Sequence, residues 1–133
     1  MDKKNSLELI SFILLSIDLI EQRFESITRS DDFLEDAKGL EKLDAISMRL
    51  QTIGEAIKNI LKRDPDLLTA VVDKSYWSNI VKFREIISHH YIDIDSEIVF
   101  DICSEDIKEL KEIVQKIENI LMSDNSWSRV KVT

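Results

Sequence analysis

The chain has few of the residues that interrupt or cross-link a fold. Its 133 residues include two glycines, one proline and one cysteine. So few chain breakers favour long helices over a sheet protein with many turns. Cys103 has no second cysteine to pair with, which is typical of a reducing compartment. No apolar run approaches the roughly 20 residues that cross a bilayer. The sequence therefore predicts a cytoplasmic protein without a membrane partner, and its length suits one domain.

Positive charge is also scarce, since the net charge is −8. An acidic balance by itself argues against binding nucleic acid, because Lys and Arg make the contacts to phosphate. Residues 74–91 depart from that balance: Lys74, Lys82 and Arg84 against Glu85 give a net charge of +2, so the rest of the chain carries −10. The chain thus contains one locally basic segment.

Apolar residues recur at alternating spacings of three and four over residues 7–27, 40–61 and 96–121. This pattern predicts three amphipathic helices. A fourth helix is predicted over residues 76–91, and a short one near residues 31–36, ending near Gly39. We expect an all-α fold: an up-and-down antiparallel four-helix bundle with an additional short helix, spanning residues 1–122, followed by a polar tail at 123–133. The expected core comprises Ile13, Ile17, Ile20, Leu43, Ile46, Leu50, Ile53, Ile57, Leu110, Val114 and Ile117.

The basic segment contains the pattern Arg84-x-x-x-x-His89-x-Tyr91. An imidazole titrates near neutral pH and is suited to moving a proton. A guanidinium binds two phosphate oxygens through parallel hydrogen bonds. Together they fit metal-independent RNA cleavage, in which the 2′-hydroxyl of RNA attacks the adjacent phosphate. On one continuous helix, however, positions 84 and 89 lie about 140° apart. Either the helix ends or distorts near Ser88, or two chains combine their residues.

The motif and its surroundings resemble the HEPN superfamily, and within it the HepT-like bacterial toxins. Trp77 precedes the arginine by seven residues, and Ile53-Gly54-Glu55-Ala56 is similar to an element of the preceding long helix in that family. The similarity in helical layout extends from about residue 5 to residue 121. One departure is Glu85, where the family usually has Asn or another small polar residue.

The resemblance implies a toxin of a toxin–antitoxin system, an endoribonuclease that leaves a 2′,3′-cyclic phosphate. Arg84 and His89 would be catalytic, with Ser88 and Glu85 as supporting residues. The family forms homodimers whose paired motifs line one cleft, and it uses neither a cofactor nor a metal. Its usual partner is an antitoxin of the MNT nucleotidyltransferase type, which transfers AMP to the motif tyrosine, here Tyr91.

Two other interpretations remain open. The same cleft would serve a non-catalytic module that binds nucleotide or RNA or docks the nucleotidyltransferase, an alternative favoured by the acidic balance and Glu85. A plain helical oligomerisation protein is the third.

Several residues favour a structural role. His90 faces another way than His89 on a helix, and Cys103 and Trp77 fit the core. The acids between Asp93 and Asp101 lack the EF-hand pattern and fit helix caps and a solvated face.

Overall fold

The protein was analysed as a computed structural model that describes residues 3–89 and 95–132, with side chains at 5–83 and 95–123. Throughout these ranges the regular elements are helical. The long ones are α1 (Lys3–Phe24), α2 (Ala37–Arg63), α4 (Lys74–His89) and α6 (Ile107–Val132). The short ones are a 3₁₀ turn (Ser30–Phe33), α3 (Pro65–Thr69), α5 (Ser96–Asp101) and a π-helical turn (Ile102–Asp106). The predicted all-α class is confirmed.

The helices pack as a bundle in which α2 is flanked by α1 and α4, while α6 packs against α1. All eleven residues of the expected core are buried, at 8% exposure or less. The stripes therefore predicted the seams of the bundle correctly, because each stripe is the face that its helix buries. Within the described residues, no helix is long and apolar enough to cross a membrane.

The α1–α2 connection differs from the prediction around Gly39. The short helix is a 3₁₀ turn over Ser30–Phe33, and Gly39 lies in the first turn of α2, where its N–H donates to the Asp36 side chain at 2.8 Å. A Cβ atom at Gly39 would lie 2.2 Å from the carbonyl oxygen of Asp32. The glycine thus allows the 3₁₀ turn to pack directly on the backbone of α2.

The short helix α3 was missed in the sequence. α2 ends at Arg63, and Pro65 occupies the first position of α3. Proline suits that position because the first N–H groups of a helix have no intrahelical acceptor. The α3 segment supplies Leu68, which is fully buried.

The last helical segment also differs from the single uninterrupted helix that its apolar stripe predicted. It starts where predicted, at Ser96, but continues through Val132 rather than ending near residue 121. A π-helical turn interrupts it at Ile102–Asp106, where the N–H of Ile107 donates to the carbonyl of Ile102, five residues earlier. Such a turn holds one residue more than an α-helical turn.

Candidate active site

Helix α4 carries four of the five predicted site residues, and Trp77 fixes its position. The Trp77 ring is fully buried, and its Nε1 donates to the carbonyl of Leu68 at 3.0 Å. Tyr76 meets the Trp77 ring edge-on, with ring centroids 5.2 Å apart. This burial confirms Trp77 as a helix anchor rather than an exposed base-stacking residue.

The start of α4 is capped by Asp73. Its carboxylate accepts from the Ser75 hydroxyl at 2.7 Å and from the Tyr76 N–H at 3.3 Å. The Ser75 hydrogen bond is the main reason that the pKa of Asp73 lies below its ordinary value. The fourth predicted helix therefore begins at Lys74, two residues before its predicted start, and Asp73 caps it in the ionised form.

Farther along α4, Ile80 and Phe83 anchor the helix in the bundle. They line a small apolar cavity together with Leu50 and Ile53 of α2 and Leu110 of α6. Phe83 immediately precedes Arg84, so the packed half of α4 sets the axial position and rotation of the motif residues that follow. The packed core therefore holds α4, the helix that carries the candidate site, in a fixed position.

The backbone of α4 is helical through Arg84, Glu85, Ser88 and His89. Their side chains lie outside the described ones, and Tyr91 and His90 lie outside the described residues altogether. α4 is described as one continuous helix from Lys74 to His89, so helix geometry applies to both motif positions. Positions 84 and 89 therefore remain about 140° apart on one helix.

The Ile53-Gly54-Glu55-Ala56 element lies in α2, the helix against which α4 packs. Ile53, Gly54 and Ala56 are buried, whereas Glu55 is exposed. Three small or apolar side chains in this element are consistent with close packing of α2 between its neighbours. The motif and this element thus belong to adjacent helices, as the resemblance implied.

An acidic cluster beside the first half of α4 was not anticipated. Burial first, then the charges of Glu105, Glu109 and Asp101, raise the pKa of Asp106. Asp106 also borders the cavity that Phe83 lines. Of these acids, only Asp101 belonged to the group expected to form helix caps and a solvated face. Asp106 lies in the π-helical turn and lines the cavity shared with Phe83.

Burial and two acids of this cluster also shift the pKa of Tyr76. Burial raises its pKa to about 12, and the charges of Glu109 and Asp106 contribute. A phosphate group would be repelled here, so this half of α4 is unsuited to binding RNA. Of the three cations of the segment, Lys82 and Arg84 lie in the C-terminal half of α4, and Lys74 is its first residue.

Two other candidates for chemistry have structural roles. Burial raises the pKa of the Cys103 thiol to about 12, which disfavours the thiolate at neutral pH and supports the expected packing role. Asp95, considered for calcium, caps α5 by accepting from the N–H groups of Glu97 and Ile98 at 2.9 and 3.3 Å. Among the described residues, no group of three or more His, Cys, Asp or Glu is placed to hold a metal ion.

Comparison with known proteins adds the following similarities. Residues 13–117 match the model of a family described as "Ribonuclease HepT-like". A protein of Methanocaldococcus jannaschii named as a candidate RNase is 35% identical over 92 residues, which cover 66% of this chain and 70% of that protein. A second protein of that organism, named as a gamma-glutamylcyclotransferase and candidate RNase, is 32% identical over 108 residues, 81% of this chain and 45% of that protein. No solved structure gives a significant match.

Proposed function

Because the chain belongs to the HepT-like ribonuclease family of the HEPN superfamily, we propose that it is a metal-independent endoribonuclease and the toxin of a toxin–antitoxin pair. The observation that carries the proposal is the family match, which spans residues 13–117 and so includes Arg84 and His89. The placement of both residues on one well-anchored helix supports it.

In the proposed reaction, the 2′-oxygen of a ribose attacks the neighbouring phosphorus as its proton passes to a general base. The bond from phosphorus to the 5′-oxygen breaks, and that oxygen takes up a proton. The products are a 2′,3′-cyclic phosphate and a 5′-hydroxyl. His89 acts as general base or acid, and Arg84 binds the phosphate oxygens as negative charge develops on them.

The proposed active form is a homodimer. Residues that lie about 140° apart on one helix do not converge on one phosphate group. A two-fold axis beside α4 would bring Arg84 of one copy toward His89 of the other and would create two equivalent composite sites in one cleft. Ser88 and Glu85 would line the same cleft as supporting residues.

The proposed partner is a nucleotidyltransferase antitoxin of the MNT type. It would transfer AMP from ATP to the hydroxyl oxygen of Tyr91 and release pyrophosphate. Position 91 is two residues beyond His89, so the added phosphate would place negative charge and bulk beside the RNA site. RNA would then be excluded both sterically and electrostatically.

One observation favours a second function, a non-catalytic module that binds RNA or nucleotide or docks the nucleotidyltransferase. Glu85 places a carboxylate next to the arginine that would hold the phosphate. A carboxylate there would compete with phosphate for Arg84, and the net charge of −8 would weaken RNA binding further.

An RNA-cleavage assay with and without EDTA separates the two functions. The enzyme should cut RNA equally well in both conditions. His89→Ala should lower the rate by at least about a hundredfold, since general acid–base groups contribute about 10² to 10⁴. The adjacent His90→Ala is the matched control and should cut at nearly the wild-type rate. Loss of cleavage in EDTA, or full activity in His89→Ala, would contradict the proposed mechanism, and RNA binding without cleavage would favour the second function.

A further inference from the structure

The pair of helices α1 and α2 carries three basic residues, Lys42 and Arg49 on α2 and Arg23 on α1, which we call the basic groove. Arg49 donates to the Ser16 hydroxyl at 3.4 Å, and the Lys42 ammonium donates to the Ser26 hydroxyl. These two contacts run in opposite directions along the chain. Arg23 follows Ser16 by seven residues, which places it on the same face of α1 and, along the helix axis, between the two contacts. Seven residues separate the two α2 cations, about 10.5 Å along a helix. All three cations therefore lie within about two helical turns of one another along the helix axes.

Within the described part of the chain, no ion pair joins these three cations to a carboxylate. The Nη1 atom of Arg23 is buried without a hydrogen-bond partner, and Lys42 and Arg49 donate to hydroxyls. Asp18 of the same helix is instead bound by Lys111 of α6, at 3.4 Å. A charged donor that loses hydration without gaining an acceptor is destabilising, and an anion bound nearby would lower that cost by Coulomb attraction without contacting the buried nitrogen.

An exposed aromatic side chain continues the groove. Phe12 lies four residues before Ser16, one helical turn beyond the Arg49 contact, and 37% of its surface is exposed. Leu15 beside it is 55% exposed. A cationic track that ends at an exposed ring is the arrangement that binds single strands, in which phosphates meet Lys and Arg and a base stacks on the ring.

We propose that the basic groove binds single-stranded RNA, with backbone phosphates at Arg23, Lys42 and Arg49 and a base on Phe12. The groove lies on the α1 side of α2. The next residue of α2, Leu50, lines the cavity shared with Phe83 of α4. The groove is thus separate from the proposed cleavage site on α4. The proposal rests on the proposed function and adds a second contact to the same class of substrate.

The test measures RNA binding in a His89→Ala background, where the RNA is not cut. Fluorescence anisotropy would follow a labelled oligouridylate of about 20 nucleotides at several KCl concentrations. Arg23→Gln, Lys42→Gln and Arg49→Gln should each weaken binding roughly fivefold and lower the slope of log K against log salt by about 0.7. The matched control is Lys116→Gln, an exposed lysine of α6 with the same change of charge, which should bind as the parent does.

Two further variants keep the test decisive. Arg23→Lys retains the charge and should retain the salt slope. If it does, weaker binding by Arg23→Gln reflects the lost charge and not a folding defect. Phe12→Ala should weaken RNA binding several-fold while leaving the salt slope unchanged.

Groove variants that bind RNA like the Lys116→Gln control would overturn the proposal, even if wild-type protein cuts RNA. A parent that binds inorganic phosphate in the groove but no RNA would overturn it too. Whether the wild type cleaves RNA decides separately on the proposed function.

Discussion

Glu85, where the resemblance led us to expect Asn or another small polar residue, follows the proposed phosphate-binding Arg84 directly in α4. A carboxylate beside a guanidinium lowers the affinity of that guanidinium for a second anion. Glu85→Asn, which restores the usual kind of residue, should therefore raise the rate of RNA cleavage several-fold. Initial rates on one RNA at fixed ionic strength would measure the effect.

The control for this substitution removes a carboxylate elsewhere. Glu8→Asn, at an exposed position of α1, changes the net charge by the same amount and should leave the rate nearly unchanged. Equal gains in both variants would assign the effect to net charge rather than to competition for Arg84.

Individual residues differ in how far the sequence predicted them. Trp77 was correctly expected to anchor its helix, because a large ring beside other apolar residues finds its place in the core. The role of Arg23 was not predictable, since a cation in the last turn of a helix usually caps the helix dipole in solvent. Only the folded structure shows that one of its nitrogens is buried without a hydrogen-bond partner among the described residues.

At the scale of elements, the π-helical turn places Asp106 where its charge is disfavoured. Its pKa is raised from the ordinary 3.8, chiefly by burial, so folding favours its protonated form. Stability from this group is present below about pH 4 and is lost as the pH rises through the folded pKa. Asp106→Asn should therefore raise the melting temperature at pH 7, and the gain should shrink toward pH 4.

Asp32 in the 3₁₀ turn is the control, because its pKa is shifted in the opposite direction to that of Asp106. It accepts from the Thr28 N–H at 2.8 Å and from the Thr28 hydroxyl at 2.9 Å, and these bonds lower its pKa. Its stabilisation is present at neutral pH and is lost as the pH falls through the lowered pKa. Asp32→Asn should lower the melting temperature at pH 7. Thermal melts that show the same sign for both variants would contradict the assignment.

The helices were predictable where the spacing of apolar residues alone determines which face is buried. They were not predictable where contacts between elements determine the structure. The stripe from Leu43 to Ile57 predicted which face of α2 is buried. The stripe of the last helix gave no sign of the π-helical turn, because one extra residue looks like an ordinary variation in spacing. Gly39 was mistaken for a helix end, since glycine often ends helices, whereas its use here is close approach to the 3₁₀ turn.

At the scale of the whole molecule, the proposed dimer can be tested by complementation. Arg84→Ala and His89→Ala proteins should each be inactive alone. Mixed under conditions that allow subunits to exchange, they should recover activity, because a heterodimer contains one composite site with both residues intact. Random pairing makes half the dimers mixed, each with one of two sites restored, so roughly a quarter of wild-type activity is expected.

The control mixture combines Arg84→Ala with a double variant that lacks both residues, and it should stay inactive. No recovery in the first mixture, with exchange verified by mass spectrometry, would place Arg84 and His89 of the same chain in one site.

Charge is distributed unevenly over the molecule in a way that the net value of −8 conceals. The acids of the π-helical turn border the packed half of α4, while Asp18 and Glu21 are bound by Lys111 between α1 and α6. The proposed RNA contacts lie elsewhere, on the C-terminal half of α4 and in the basic groove. An acidic protein can in this way retain local surfaces suited to phosphate.

The π-helical turn at Ile102–Asp106 also constrains how the chain can vary in length. Deleting one of its residues would turn it into an ordinary α-helical turn and rotate everything before it by about 100° relative to α6. Val99, 1% exposed, would leave the core, and Phe100 would lose its contact with Phe24, whose ring centroid is 5.3 Å away. Related sequences should therefore exchange residues in this turn far more readily than they gain or lose one.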